Sequence, residues 1–131
     1  MTIQRINPTT LAPPGGHYSH AVVANGFVFI SGQLPITSAG EKLNQASFEE
    51  QARQVLANVQ AALEAAGSSV ANLAQVRVYV TDIEQWPAFN RIYLAWAGAA
   101  PPARAVVPVP LLHYGFLIEV EAVGVVGARP K

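Results

Sequence analysis

The sequence contains no cysteine. Disulfides, thiolate nucleophiles and zinc–thiolate centres are therefore excluded. Charge is also scarce. Asp, Glu, Lys and Arg make up 12% of the 131 residues, about half the share usual in globular proteins. The eight basic and eight acidic residues cancel, so the chain carries no electrostatic footprint for nucleic acid or an anionic membrane. No apolar run reaches the roughly 18 residues of a membrane helix. The N-terminal stretch MTIQRINPTTLAPPGG lacks the apolar core of a secretory signal. Together these absences predict a soluble, cytoplasmic protein. There is no G-x-x-x-x-G-K-[ST] phosphate loop and no G-x-S-x-G elbow. A Ser–His–Asp triad assembled from Ser19 or Ser31, a histidine and Asp82 therefore has no motif behind it.

Apolar residues, by contrast, are abundant at 51%. With so little charge a monomer cannot cover its surface with polar groups, which predicts apolar surface buried between subunits. The length suits a single domain over residues 1–131.

The local patterns give an α+β order. A loop rich in proline and glycine (8–16) precedes two β-prone runs, AVVA (21–24) and FVFIS (27–31), joined by the hairpin signal Asn25-Gly26. A short strand is expected before them. Ser47 and Glu50 form a capping box at the start of an amphipathic helix over 47–66. Its apolar stripe is Phe48, Ala52, Val55, Leu56, Val59, Ala62, Leu63 and Ala66. QVRVYVTD (75–82) alternates as a strand. Asp82 is placed to cap a second helix over 83–97, with Trp86, Phe89, Ile92, Tyr93 and Trp96 on its buried side. RAVVPV (104–109) is a strand that Pro108 confines to an edge, and FLIEVEAVGVV (116–126) is the last strand. Two helices and one sheet make a two-layer domain. Two helices cover one face of the sheet only, yet 116–126 is apolar on both faces. The bare face must meet another copy, which predicts a symmetric homo-oligomer.

Few residues are left for chemistry. Arg104 is the lone charge in PPARAVVPVP (101–110). It lies at a surface, pairs with an acid of its own chain, or awaits an external anion. Glu119 and Glu121, at i and i+2, share the bare face, and a structural Arg104–Glu pair is the plain reading. The alternative is a carboxylate that polarises water beside a guanidinium that holds an anion. His17, His20 and His113 show no metal-ligand spacing, and no metal is expected. Trp86 and Trp96 read as core.

Five stretches together resemble the reactive intermediate deaminase (RidA, or YjgF) family. They are GGHYSHAVVANGFVFISGQLP (15–35), EEQARQVLANVQAALEAAGSS (49–69), VRVYVTDIEQWPAFNRIY (76–93), PPAR (101–104) and IEVEAV (118–123). The resemblance implies a chorismate-mutase-like homotrimer with active sites in the clefts between subunits. It implies hydrolysis of 2-imino acids, in exchange with 2-enamino acids, to 2-keto acids and ammonia, without a cofactor. It casts Arg104 as the anchor of the substrate carboxylate and Glu119 as the partner of the attacking water. Tyr18, supplied across the interface, and Gly32 would line the pocket. Val106 stands where family members often carry cysteine, leaving only its backbone carbonyl to orient water. LLHYGF (111–116) replaces a common Leu-Pro turn, so a larger or aromatic substrate is among the readings. The alternatives are a trimer that only binds a small carboxylate, an RNA-cleaving enzyme, and a purely structural protein. The expected partners are a small 2-imino or 2-keto acid and the chain itself, not nucleic acid or a membrane.

Overall fold

The computed structural model describes residues 2–127. Met1 and residues 128–131 of the expected domain lie outside the described residues. β1 (Ile3–Ile6) pairs antiparallel with β2 (Ala21–Ala24), and β2 with β3 (Phe27–Gln33). The β2–β3 turn is Asn25-Gly26, with φ of 54° and 81°. Two positive φ angles in a two-residue turn match the twist of the flanking strands.

α1 (Phe48–Ala65) starts as expected: the Ser47 hydroxyl accepts a hydrogen bond from the Glu50 N–H at 3.2 Å. Its stripe Val55, Leu56, Val59 and Leu63 is buried, together with two polar residues, Gln51 and Asn58. β4 (Leu73–Val80) buries Val76, Val78 and Val80, as its alternation predicts. The expected helix over 83–97 is divided. Asp82 caps a 3₁₀ turn (Ile83–Gln85), and α2 (Trp86–Ala97) follows with Pro87 in its first turn, where a missing N–H costs nothing. β5 (Ala103–Pro108) and β6 (Ile118–Val125) follow. The last strand starts two residues later than its sequence pattern, because a 3₁₀ turn (His113–Gly115) delivers Phe116 into the core.

The six strands form one mixed sheet in the order β1-β2-β3-β6-β4-β5. β4 and β5 are parallel, and the other pairs are antiparallel. β3 and β4 therefore run the same way on either side of β6. Their link through α1, and the link from β4 to β5 through α2, both move toward the β5 edge. Right-handed crossovers in one direction put both helices on the same face. The core lies between that face and the helices: Val28, Ile30, Val76, Val78, Ile118 and Val120 against the α1 stripe and Phe89. Each such side chain contributes about 1.5–3 kcal/mol through burial.

The other face is open. Phe27 and Phe29 lie on it, 44% and 47% exposed, beside their β6 partners Val125 and Val123. Leu117, expected on this face, instead lies just before β6 and packs against the core. No helix of the described residues is long and apolar enough to cross a membrane.

Candidate functional site

The loop before β2 is tied down by one histidine. His20 is buried, and its N–H donates to Asn7 Oδ1 at 2.8 Å. Its Nε2 lies 2.7 Å from the Ala12 carbonyl and its Nδ1 3.2 Å from Gln33 Nε2. A carbonyl only accepts, so Nε2 carries the proton and Nδ1 accepts from Gln33. The Tyr18 ring stands edge-on to His20, 5.9 Å between centroids.

β3 bulges at Ser31-Gly32. Ile30 faces Ala122 and Gln33 faces Val120, so β3 holds one extra residue. Bulges of this kind re-aim neighbouring groups. Here the Glu119 carboxylate rests against the Gly32 α-carbon, so closely that a methyl group at position 32 would collide with it. Tyr18, Gly32, Glu119, His113 and Tyr114 line one cavity of about 330 Å³. Burial pushes the Glu119 carboxyl up from the ordinary carboxylate range, and Glu121 adds to the rise. His113 pulls the other way.

Tyr114 is a non-glycine residue at φ 57°. That conformation costs on the order of 1 kcal/mol. The Lys42 ammonium lies 4.9 Å above its ring, and Phe116 meets the ring edge-on at 5.8 Å. The two walls Leu34 and Ile36 are held by Asn58 of α1, which donates to both carbonyls at 3.0 Å.

Arg104 is elsewhere. It pairs in register with the buried Val76 and faces the helices. It donates to Asn90 Oδ1 at 3.1 Å and stacks on Trp86 and Tyr93, 4.7 and 4.8 Å from their ring centroids. The expected Arg104–Glu pair does not form. β4 lies between β5 and β6, and Glu119 projects from the opposite face. Among the described residues no carboxylate is within ion-pair reach of Arg104. Glu121 pairs with Arg77 at 3.5 Å and accepts from Tyr79, which raises the Tyr79 phenol. Trp86 is correspondingly not core: it is partly exposed and carries the guanidinium. The Tyr93 hydroxyl is buried there without a partner among the described residues. Burial raises its pKa, and Arg104 opposes the rise. Val106 points to the same face as Arg104 and packs against the core. His17 is exposed, and no cluster of His, Asp and Glu among the described residues could hold a metal ion.

The structure thus brings Tyr18, Gly32 and Glu119 together within one chain and sets Arg104 and Val106 apart on the other face. A family model described as Endoribonuclease L-PSP matches residues 9–126. The chain belongs to this family, the RidA/YjgF family. Relatives match over most of the chain. A RutC family protein of Pyrococcus horikoshii is 40% identical over 84% of this chain and 87% of its own. The 2-iminobutanoate/2-iminopropanoate deaminase of Capra hircus is 36% identical over 95% of this chain and 92% of its own. Among solved structures, E. coli TdcF with bound serine superposes with a TM-score of 0.86 at 32% identity, over 93% of this chain and 98% of that one.

Proposed function

We propose that this RidA-family protein is a hydrolytic deaminase of 2-imino acids, working as a homotrimer in which Arg104 of one subunit faces the Glu119 cavity of the next. The observation that carries the reading is the division of the site. An arginine with no acidic partner among the described residues sits at one end of the sheet, and a carboxylate with a raised pKa sits in a cavity on the other face. Neither group is in an ion pair among the described residues. A second copy whose β5 edge met this cavity would bring its Arg104 to Glu119. The exposed Phe27 and Phe29 give the open face a reason to be covered. The goat deaminase supports the reaction class, and the serine held by TdcF is a small amino acid with the same carboxylate.

The chemistry follows from these groups. The guanidinium binds the substrate carboxylate through two charge-assisted hydrogen bonds and fixes the plane of the imine. Glu119, ionised, accepts a proton as water attacks C2 and passes it to the imine nitrogen. The product is a neutral carbinolamine. Glu119 then moves the hydroxyl proton to the amine, the C–N bond breaks, and ammonia leaves a 2-keto acid. One water is consumed per ammonia released, and the proton on Glu119 is returned within the cycle. The test is a coupled assay. A pyridoxal-phosphate dehydratase acting on serine or threonine makes the enamine and imine in place, with semicarbazide competing for the imine. The protein is expected to accelerate keto acid formation; an unchanged rate would count against the reading for these small imines.

The close approach of Glu119 to Gly32 gives a second expectation. Gly32→Ala should displace the carboxylate, which is the far end of a flexible side chain, and leave the backbone in place. Turnover is expected to fall about 10²-fold, since a misplacement near 1 Å has that effect. The circular-dichroism spectrum should be unchanged. A wild-type rate in this variant would remove Glu119 from the reaction.

A further inference from the structure

The His113–Gly115 turn holds a tyrosine in a backbone conformation suited to glycine. Three aromatic or cationic neighbours fix the Tyr114 ring, yet Tyr114 remains 58% exposed. Strain of this kind persists where surroundings over-determine it, and it gathers at ligand sites. The ring stands at a junction. It lines the 330 Å³ cavity that contains Glu119, and also a second cavity of about 220 Å³. Both cavities share Tyr18, Gly32, Leu34 and Ile36, and the second adds Leu11 and Pro13. The space next to Glu119 therefore continues, past two tyrosines, into a recess of mixed lining, whose polar members His20, Gln33 and Asn58 are already hydrogen-bonded within the chain. An imino acid of three or four carbons leaves that recess empty.

We infer that the site selects 2-imino acids with an aromatic side chain, whose ring lies against Tyr114 in the recess. The inference rests on the deaminase reading for the reacting end of the substrate and adds the class of side chain. Aromatic rings pack on tyrosine edge-to-face or offset, with more affinity than area alone provides. Among the described residues Lys42 is the one lysine or arginine lining the recess, and it sits over the Tyr114 ring, where it reinforces the aromatic wall.

The test compares two imines made in place by a D-amino acid oxidase, from D-alanine and from D-phenylalanine, with catalase present. The imine carbon is planar, so the configuration of the precursor is lost. Activity is scored as protection from semicarbazide trapping. Wild type is expected to favour the phenylalanine-derived imine in kcat/KM. Tyr114→Gly, a substitution the backbone accommodates, should lower that preference roughly three- to ten-fold. Its melting temperature is expected not to fall. Binding of the products phenylpyruvate and pyruvate is measured in parallel by calorimetry. A preference for the small imine, or one that survives Tyr114→Gly, overturns the aromatic slot and leaves the deaminase reading standing. So does tighter binding of an acidic keto acid such as oxaloacetate than of phenylpyruvate. Absence of turnover, with phenylpyruvate binding better than pyruvate only when Tyr114 is present, supports the slot and rejects the deaminase reading. Absence of both turnover and binding rejects both.

Discussion

Co-expressed Arg104→Ala and Glu119→Gln subunits are expected to recover activity that neither variant has alone. Arg104→Ala by itself should lower kcat/KM by roughly ten- to a hundred-fold or more, the worth of a bidentate charge-assisted contact. Lysine is a poor substitute, because it offers a point charge in place of a planar fork. The mixture is the more telling experiment. If each site takes its arginine from one subunit and its glutamate from the next, a closed ring of randomly mixed subunits has intact sites. At equal proportions about one site in four carries both native groups. Specific activity of the unfractionated mixture should then recover to about one quarter of wild type, and that of tagged, isolated mixed trimers to about one third. A mixture no more active than the average of its parents would place both groups in one chain's site. That result would contradict the separation of Arg104 from Glu119 across the sheet.

Glu119→Gln is expected to reduce kcat by about 10²-fold or more, the usual worth of a positioned general base. KM should change little, because the amide keeps the shape and the carboxylate anchor is elsewhere. The pH profile adds a readout that a structural role would not move. Burial raises the Glu119 pKa, and the group must be ionised to accept a proton. Wild-type kcat should therefore be low where Glu119 is protonated and rise as pH increases through its raised pKa, above the usual carboxylate range. In the enzyme–substrate complex the bound carboxylate offsets the incoming guanidinium, so the rise belongs in kcat. Glutamine should abolish that limb. An identical limb in Glu119→Gln would assign the proton transfer to another group, with His113 the nearest candidate in the cavity.

Local signals were legible where one segment determines its own structure. The Ser47 N-cap, the Asn25-Gly26 turn and the alternation of Val76, Val78 and Val80 each depend on neighbours in sequence, and each appears as read, although of the Ser47–Glu50 box only the bond from the Glu50 N–H to the Ser47 hydroxyl is seen. Arg104 was misplaced for the converse reason. β5 precedes β6 in the chain, but β4 separates them in the sheet, and strand order is set by long-range pairing. Gln51 and Asn58 escaped because a hydrophobic stripe reads polar residues as outward. In the fold they tie α1 to the loops: Gln51 Oε1 accepts from the Leu117 N–H at 2.9 Å. The bulge at Ser31-Gly32 and the strained Tyr114 leave no pattern at the level of residue type. The family resemblance named Gly32 as part of the cleft, and only the geometry shows why a side chain there would collide with Glu119.

The place of β6 also has a meaning in time. The last strand of the chain is inserted between β3 and β4, and it alone joins the β1–β2–β3 meander to the β4–β5 pair within the sheet. A ribosome that has released everything up to residue 117 has therefore made two separate patches of strand and no continuous sheet. The open groove between them exposes Val28, Ile30, Val76 and Val78 along unpaired backbone, a surface of the kind that nascent chains must keep from one another. Closure of the sheet waits for β6, so the Glu119 cavity, the covered core and the continuous open face all come into being in one non-local step.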